Sequence, residues 1–173
     1  AAQNWISKVK NLALSPEQAH EQAKTAREQG IADLYARYQA RLVTFNAVDF
    51  DDLIRLPLQV LESDQEARMR WQVKIQYLLV DECQDTNGAQ YRMIKALAGS
   101  HGRFTCVGDD DQSIYAWRGA QPENLDELAK DYPSLKVIKL EQNYRCSARI
   151  LRCANRVIAN NPHAHTKALW SQH

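Results

Sequence analysis

The chain has 173 residues, 45% of them hydrophobic, and its 22 basic and 21 acidic side chains leave a net charge of +1. That length and apolar share suffice for one full domain or two partial ones, and they exclude low-complexity disorder and collagen-like repeats. No run approaches the roughly 20 apolar residues of a membrane helix, AAQNWISKVK lacks a signal peptide's apolar stretch, and four cysteines without a C-x-x-C pair suggest reduced thiols in a cytoplasmic protein.

The first 75 residues read as helical. Ser15, Pro16 and Glu17 make a helix start with an acidic first turn. Ile31, Leu34, Tyr35, Tyr38 and Leu42 recur at helical spacing and predict one buried stripe. NAVDFDDLIRLPLQVLE predicts a turn into a further helix that Pro57 breaks or kinks, and a short helix follows from Gln65 to Lys74.

Near residue 76 the texture changes. Tyr77–Val80 is a short apolar run that ends in Asp81-Glu82, and Thr86 or Asn87 caps a helix with Tyr91, Ile94 and Leu97 on one face. Phe104–Val107 is a second run, ending in Gly108-Asp109, before a loop and a helix opened by Pro122. Val137–Leu140 is a third, leading to Asn143-Tyr144-Arg145 and a helix near Ser147 with Ile150, Ala154, Val157 and Ile158 on its apolar face. Three apolar strands separated by helices predict an α/β fold with a parallel sheet, whose ligands gather beyond the strands' carboxyl ends.

The near-zero total charge conceals a segregation. Residues 1–76 carry 10 basic and 10 acidic side chains, residues 77–143 carry 7 and 11, and residues 144–173 carry 5 basic and none acidic. A carboxylate-rich middle beside a basic end can grip an anion through a metal on one side and arginines on the other. Chance clustering on solvated surfaces gives the same counts.

Three segments carry the chemistry. LLVDECQD delivers Asp81 and Glu82 to a strand tip, where one carboxylate can hold Mg²⁺ through water while its neighbour deprotonates an attacking water. The plain alternative is a solvated turn. In VGDDDQSIYAWRGA, Gly108 allows a tight strand exit and Gln112 offers a donor and an acceptor to a terminal phosphate or lytic water. Tyr115 and Trp117, two residues apart in an extended segment, would point the same way and stack on bases beside Arg118; the alternative is a pair of core anchors under a loop. In LEQNYRCSARIL, Tyr144 can stack on a nucleobase or simply pack, and Arg145 can reach a phosphate bidentately. Arg149, Arg152 and Arg156 read as a solvated helix face.

Together with NAVDFDDLI and IANNPH, these segments resemble the superfamily 1 DNA helicases of the Rep, UvrD and PcrA group over roughly residues 30–170, and lie nearest the Rep branch. The resemblance implies that Asp81 binds Mg²⁺ through water and Glu82 is the general base for ATP hydrolysis. Gln112 would couple the γ-phosphate to DNA, and Tyr115, Trp117 and Arg118 would contact single-stranded DNA. Tyr144 would stack on adenine and Arg145 would stabilise the transferred phosphoryl group. Such enzymes move 3′ to 5′ as two RecA-like domains close over ATP, working on single strands and on junctions with duplex.

Cys83 and Cys146 depart from the family pattern without touching its charged chemistry. No G-x-x-x-x-G-K-[ST] phosphate cradle occurs among the six glycines. The resemblance therefore implies the central fragment of a motor with a partial RecA-like (P-loop NTPase) sheet. Residues 1–62 would be an inserted helical subdomain, 63–143 the later half of the first motor domain and 144–173 the start of the second. Alone it should hydrolyse no ATP, and an unpaired sheet edge should favour self-association. Replication or repair proteins are the other expected partners. The rival readings are a helicase–nuclease subunit of recombinational repair and a non-catalytic single-strand-binding module.

Overall fold

Reciprocal caps set the helices of the first half. The computed structural model describes residues 2–161 and 167–172. It opens with α1 (Ala2–Asn11), α2 (Pro16–Glu21) and α3 (Ala26–Thr44). Ser15 accepts from the Gln18 amide while the Gln18 side chain accepts from the Ser15 N–H, and Thr25 with Glu28 repeats the device before α3. The predicted stripe on α3 is narrower than its spacing implies. Ala32 and Tyr35 are buried, whereas Leu34 and Tyr38 are exposed.

The helix α4 (Asp52–Ser63) runs through Pro57 without a break. A proline removes one backbone bond, but Asp52, Arg55, Leu58 and Leu61 around it are all buried and hold the helix in place. Beneath α1, α3 and α4 lies a charged core. Lys10 Nζ sits 2.6 Å from Asp49 and 3.0 Å from Asp52, whose other oxygen accepts from Arg55 Nε at 3.0 Å. Gln39 donates to Asp52 at 3.1 Å, and the Lys10 ammonium lies 5.2 Å from the Tyr38 ring centroid. Burial pushes the Tyr35 hydroxyl up to about 12.

Beyond α5 (Gln65–Lys74), the strands β1 (Leu78–Val80) and β2 (Phe104–Cys106) pair in parallel, with Leu78 opposite Phe104 and Val80 opposite Cys106. The crossover is α6 (Gly88–Ala98), capped reciprocally by Asn87 and Gln90. With α7 (Asn124–Asp131) it closes a core of Cys83, Tyr91, Ala98, Phe104 and Leu128. This small parallel sheet among helices agrees with an α/β fold. All four cysteines are free, and among the described residues no helix is long and apolar enough to cross a membrane.

The third predicted strand does not form. Val137, Ile138 and Leu140 are exposed and join no ladder among the described residues; the nearest pairing is the single parallel bridge between Gln142 and Trp170. An apolar run becomes a strand only where another backbone supplies its hydrogen bonds. The final helix, α8 (Ala148–Ile158), starts after Ser147 as expected, but it buries Leu151 and leaves Ile150, Ala154 and Val157 exposed.

Candidate functional site

Because β1 and β2 are parallel, their carboxyl ends open on the same side of the sheet. From β1 the chain enters Asp81-Glu82, both exposed. Glu82 takes the left-handed conformation, φ 50° and ψ 44°, which costs a non-glycine residue about 1–2 kcal/mol. Two contacts hold it there: its N–H donates to Asp81 Oδ1 at 2.9 Å, and its Oε2 accepts from Gln84 Nε2 at 2.8 Å. Strain kept in place at an exposed carboxylate is characteristic of working sites.

Gln84 ties the two strand ends together. It is buried, and its Oε1 accepts from the Asp109 N–H at 3.0 Å. Gly108 makes that approach feasible, since a Cβ there would stand 2.8 Å from Gln84 Oε1. The side chain of Asp109 accepts from the Asp111 N–H at 3.1 Å and from Gln112 Nε2 at 2.6 Å, so Gln112 is anchored to the same rim as Glu82.

The carboxylates of Asp109, Asp110 and Asp111 lie within 4.8 Å of one another, but Lys167 meets all three. Burial opposes the charge on Asp109, yet the hydrogen bonds from Lys167 and Gln112 prevail and hold its pKa below the usual carboxylate value. Burial likewise works against the Lys167 charge, and its bonds to the three aspartates raise its pKa in spite of it.

Farther along, Tyr115 and Trp117 do not lie in an extended segment: Ala116–Arg118 forms a single tight helical turn. The rings are still neighbours, 6.4 Å apart, because the Arg118 guanidinium lies 5.3 Å from the Tyr115 centroid and 4.6 Å from that of Trp117. Trp117 is 74% exposed, so it is not a core anchor. The arrangement is a cationic, aromatic surface suited to stacking on unpaired bases.

The structure thus gathers Asp81, Glu82 and Gln112 on one rim, with Tyr115, Trp117 and Arg118 on the loop leading from it. Tyr144 is 76% exposed, and Arg145 follows in a turn in which Asn143 Oδ1 accepts from the Arg145 and Cys146 N–H groups at 2.9 and 2.7 Å. Among the described residues, no hydrogen bond or ion pair joins either side chain to Asp81, Glu82 or Gln112. The predicted IANNPH block runs into Pro162 and His163, which lie outside the described residues. Sequence reasoning missed Gln84, Asp109 and Lys167. Gln84 left one trace, an amide two residues after a strand's acidic pair; Lys167 left none.

A profile of the UvrD/REP helicase N-terminal domain matches residues 1–133. The chain is 57% identical over 167 residues to the ATP-dependent DNA helicase Rep of Escherichia coli (strain K12), covering 96% of this chain and 25% of that protein. It is 53% identical to Rep of Buchnera aphidicola subsp. Acyrthosiphon pisum, over 96% of this chain and 26% of that one. Against the ATP-dependent DNA helicase PcrA of Bacillus subtilis (strain 168) identity is 46%, over 96% of this chain and 23% of the relative. The chain spans about a quarter of the length of these curated relatives.

Proposed function

Because this chain belongs to the UvrD/REP helicase family, we propose that it is the central part of an ATP-dependent 3′ to 5′ single-strand DNA translocase and helicase acting in the cytoplasm. Residues 1–62 are read as an inserted helical subdomain, 63–143 as the later half of a RecA-like motor domain and 144–173 as the start of a second. The observation that carries the reading is the rim itself: Glu82 and the anchor of Gln112 are bridged by one buried amide, that of Gln84.

In this reading Glu82 takes the proton from the attacking water, with its carboxylate held by the Gln84 amide. Gln112 reports the state of the terminal phosphate to the adjoining loop, where Tyr115, Trp117 and Arg118 hold single-stranded DNA. Arg145 and Tyr144 come to the nucleotide by movement of the segment that bears them. The donor set fits a hydrated Mg²⁺: Asp81 is exposed and commits one oxygen to the Glu82 N–H, leaving the other for the ion's water shell. Bound there with ATP, Mg²⁺ would neutralise charge on the phosphates.

The test is phosphate release by the full-length protein with and without single-stranded DNA. Glu82→Gln should lower the DNA-stimulated rate by about 10²–10⁴-fold, the usual contribution of a general base. A variant retaining the wild-type rate would remove Glu82 from the chemistry. Residues 1–173 alone, with no G-x-x-x-x-G-K-[ST] cradle, should release none.

A further inference from the structure

Lys167 lies 57 residues from Asp110, yet its ammonium contacts Asp109, Asp110 (2.8 Å) and Asp111 (2.9 Å). Asn161, on the same terminal segment, adds a bond to Asp111 Oδ1 at 3.4 Å. We propose that Lys167 is a positioning residue for Gln112: it neutralises the aspartate loop and fixes the carboxylate that orients the Gln112 amide.

The geometry divides the work between the two oxygens of Asp109. Oδ1 takes Lys167 and the Asp111 N–H, which sets the carboxylate plane; Oδ2 is thereby presented to Gln112 Nε2 at 2.6 Å. With its amide nitrogen committed, Gln112 keeps its carbonyl oxygen directed for an incoming water or ligand. Without the ammonium, three carboxylates within 4.8 Å would repel one another. The loop would loosen, and Gln112 would lose its fixed orientation. The contact also ties Lys167 and Asn161 to the rim of the sheet.

The role in catalysis rests on the proposed function of Gln112, and two separate measurements keep the two ideas apart. In the full-length protein, amide hydrogen exchange of residues 110–113 should quicken about tenfold in Lys167→Met, which keeps the stem but loses the charged hydrogen bonds, and should return towards wild type in Lys167→Arg. Unchanged exchange in Lys167→Met overturns the clamp whatever the enzyme does. In steady-state ATP hydrolysis with saturating single-stranded DNA, Lys167→Met should lower kcat about tenfold with little change in KM, and should cause no further loss in a Gln112→Ala background. An equal loss in both backgrounds overturns the positioning role. If Gln112→Ala alone leaves kcat intact, the functional reading of Gln112 fails, while the exchange result still decides whether Lys167 holds the loop.

Discussion

Two groups of charged side chains meet opposite conditions in this chain. Under α1, α3 and α4, the side chains of Lys10 and Asp52 are wholly buried and that of Arg55 nearly so, each bonded to the others or to Asp49 and Gln39. At the sheet rim, Asp81 and Glu82 are exposed, and each commits one carboxylate oxygen to a neighbour. The first group has spent its bonding capacity on other helices, so it holds structure together. The second keeps oxygens free, and a buried amide fixes Glu82, which is what the proposed chemistry needs.

Breaking the helical group should give the largest effect. Asp52→Ala removes the partner that Lys10 and Arg55 share and leaves their charges buried with fewer contacts, at a cost of about 3–5 kcal/mol in urea unfolding. Glu82→Gln, by contrast, should stay within about 0.5 kcal/mol of wild type. Acid sharpens the contrast. Burial raises the Asp52 pKa, but bonds from Gln39, Lys10 and Arg55 outweigh it and hold the carboxyl below the ordinary aspartate value. A carboxyl depressed on folding stabilises the chain fully above its unfolded pKa, and that contribution is lost as pH falls through the folded one. Stability should therefore fall below about pH 4, and Asp52→Asn should flatten that fall.

Gly108 tests the link between the rim's two strand ends. Gly108→Ala would drive a Cβ to 2.8 Å from Gln84 Oε1 and 3.4 Å from the backbone nitrogens of Cys83 and Gln84. Gln84 is buried and bonded at both ends, so it cannot swing aside without releasing Glu82 or Asp109. The expected loss is about 1–3 kcal/mol, and it should shrink in a Gln84→Ala background, where the clash is gone. A full loss in that background would place the strain elsewhere.

The same contrast explains what the sequence discloses. Ser15 and Asn87 mark helix starts because a cap is a local event, settled within a few residues. The Asp81-Glu82 and Gly108-Asp109 strand ends are legible for a similar reason, as apolar runs stop abruptly at charge. Lys10 reads as an ordinary surface lysine until Asp49 and Asp52, some 40 residues on, close over it. The run Val137–Leu140 fails in the opposite direction: its residues favour a strand, but pairing depends on a second backbone that no local pattern encodes.

The seam between the two regions carries the smallest effect. On α6, Arg92 makes two bonds to Glu62 of α4, at 2.8 and 2.5 Å, and a third to the Leu12 carbonyl at 3.3 Å. Asn87 and Asn11 add a fourth tie at 2.9 Å. The Arg92 and Glu62 side chains are about 40% exposed, so solvent screens the pair and its worth stays near the upper end of surface salt bridges, about 1 kcal/mol. Arg70→Ala, which breaks a pair exposed on one helix, should cost only about 0.3 kcal/mol and serves as the control. If Arg92→Ala costs no more than Arg70→Ala in urea unfolding, the forked contact adds nothing at the seam, and helix packing with the Asn87–Asn11 bond joins the charged helices to the sheet. If it costs several times more, the guanidinium is part of what makes the two regions unfold together.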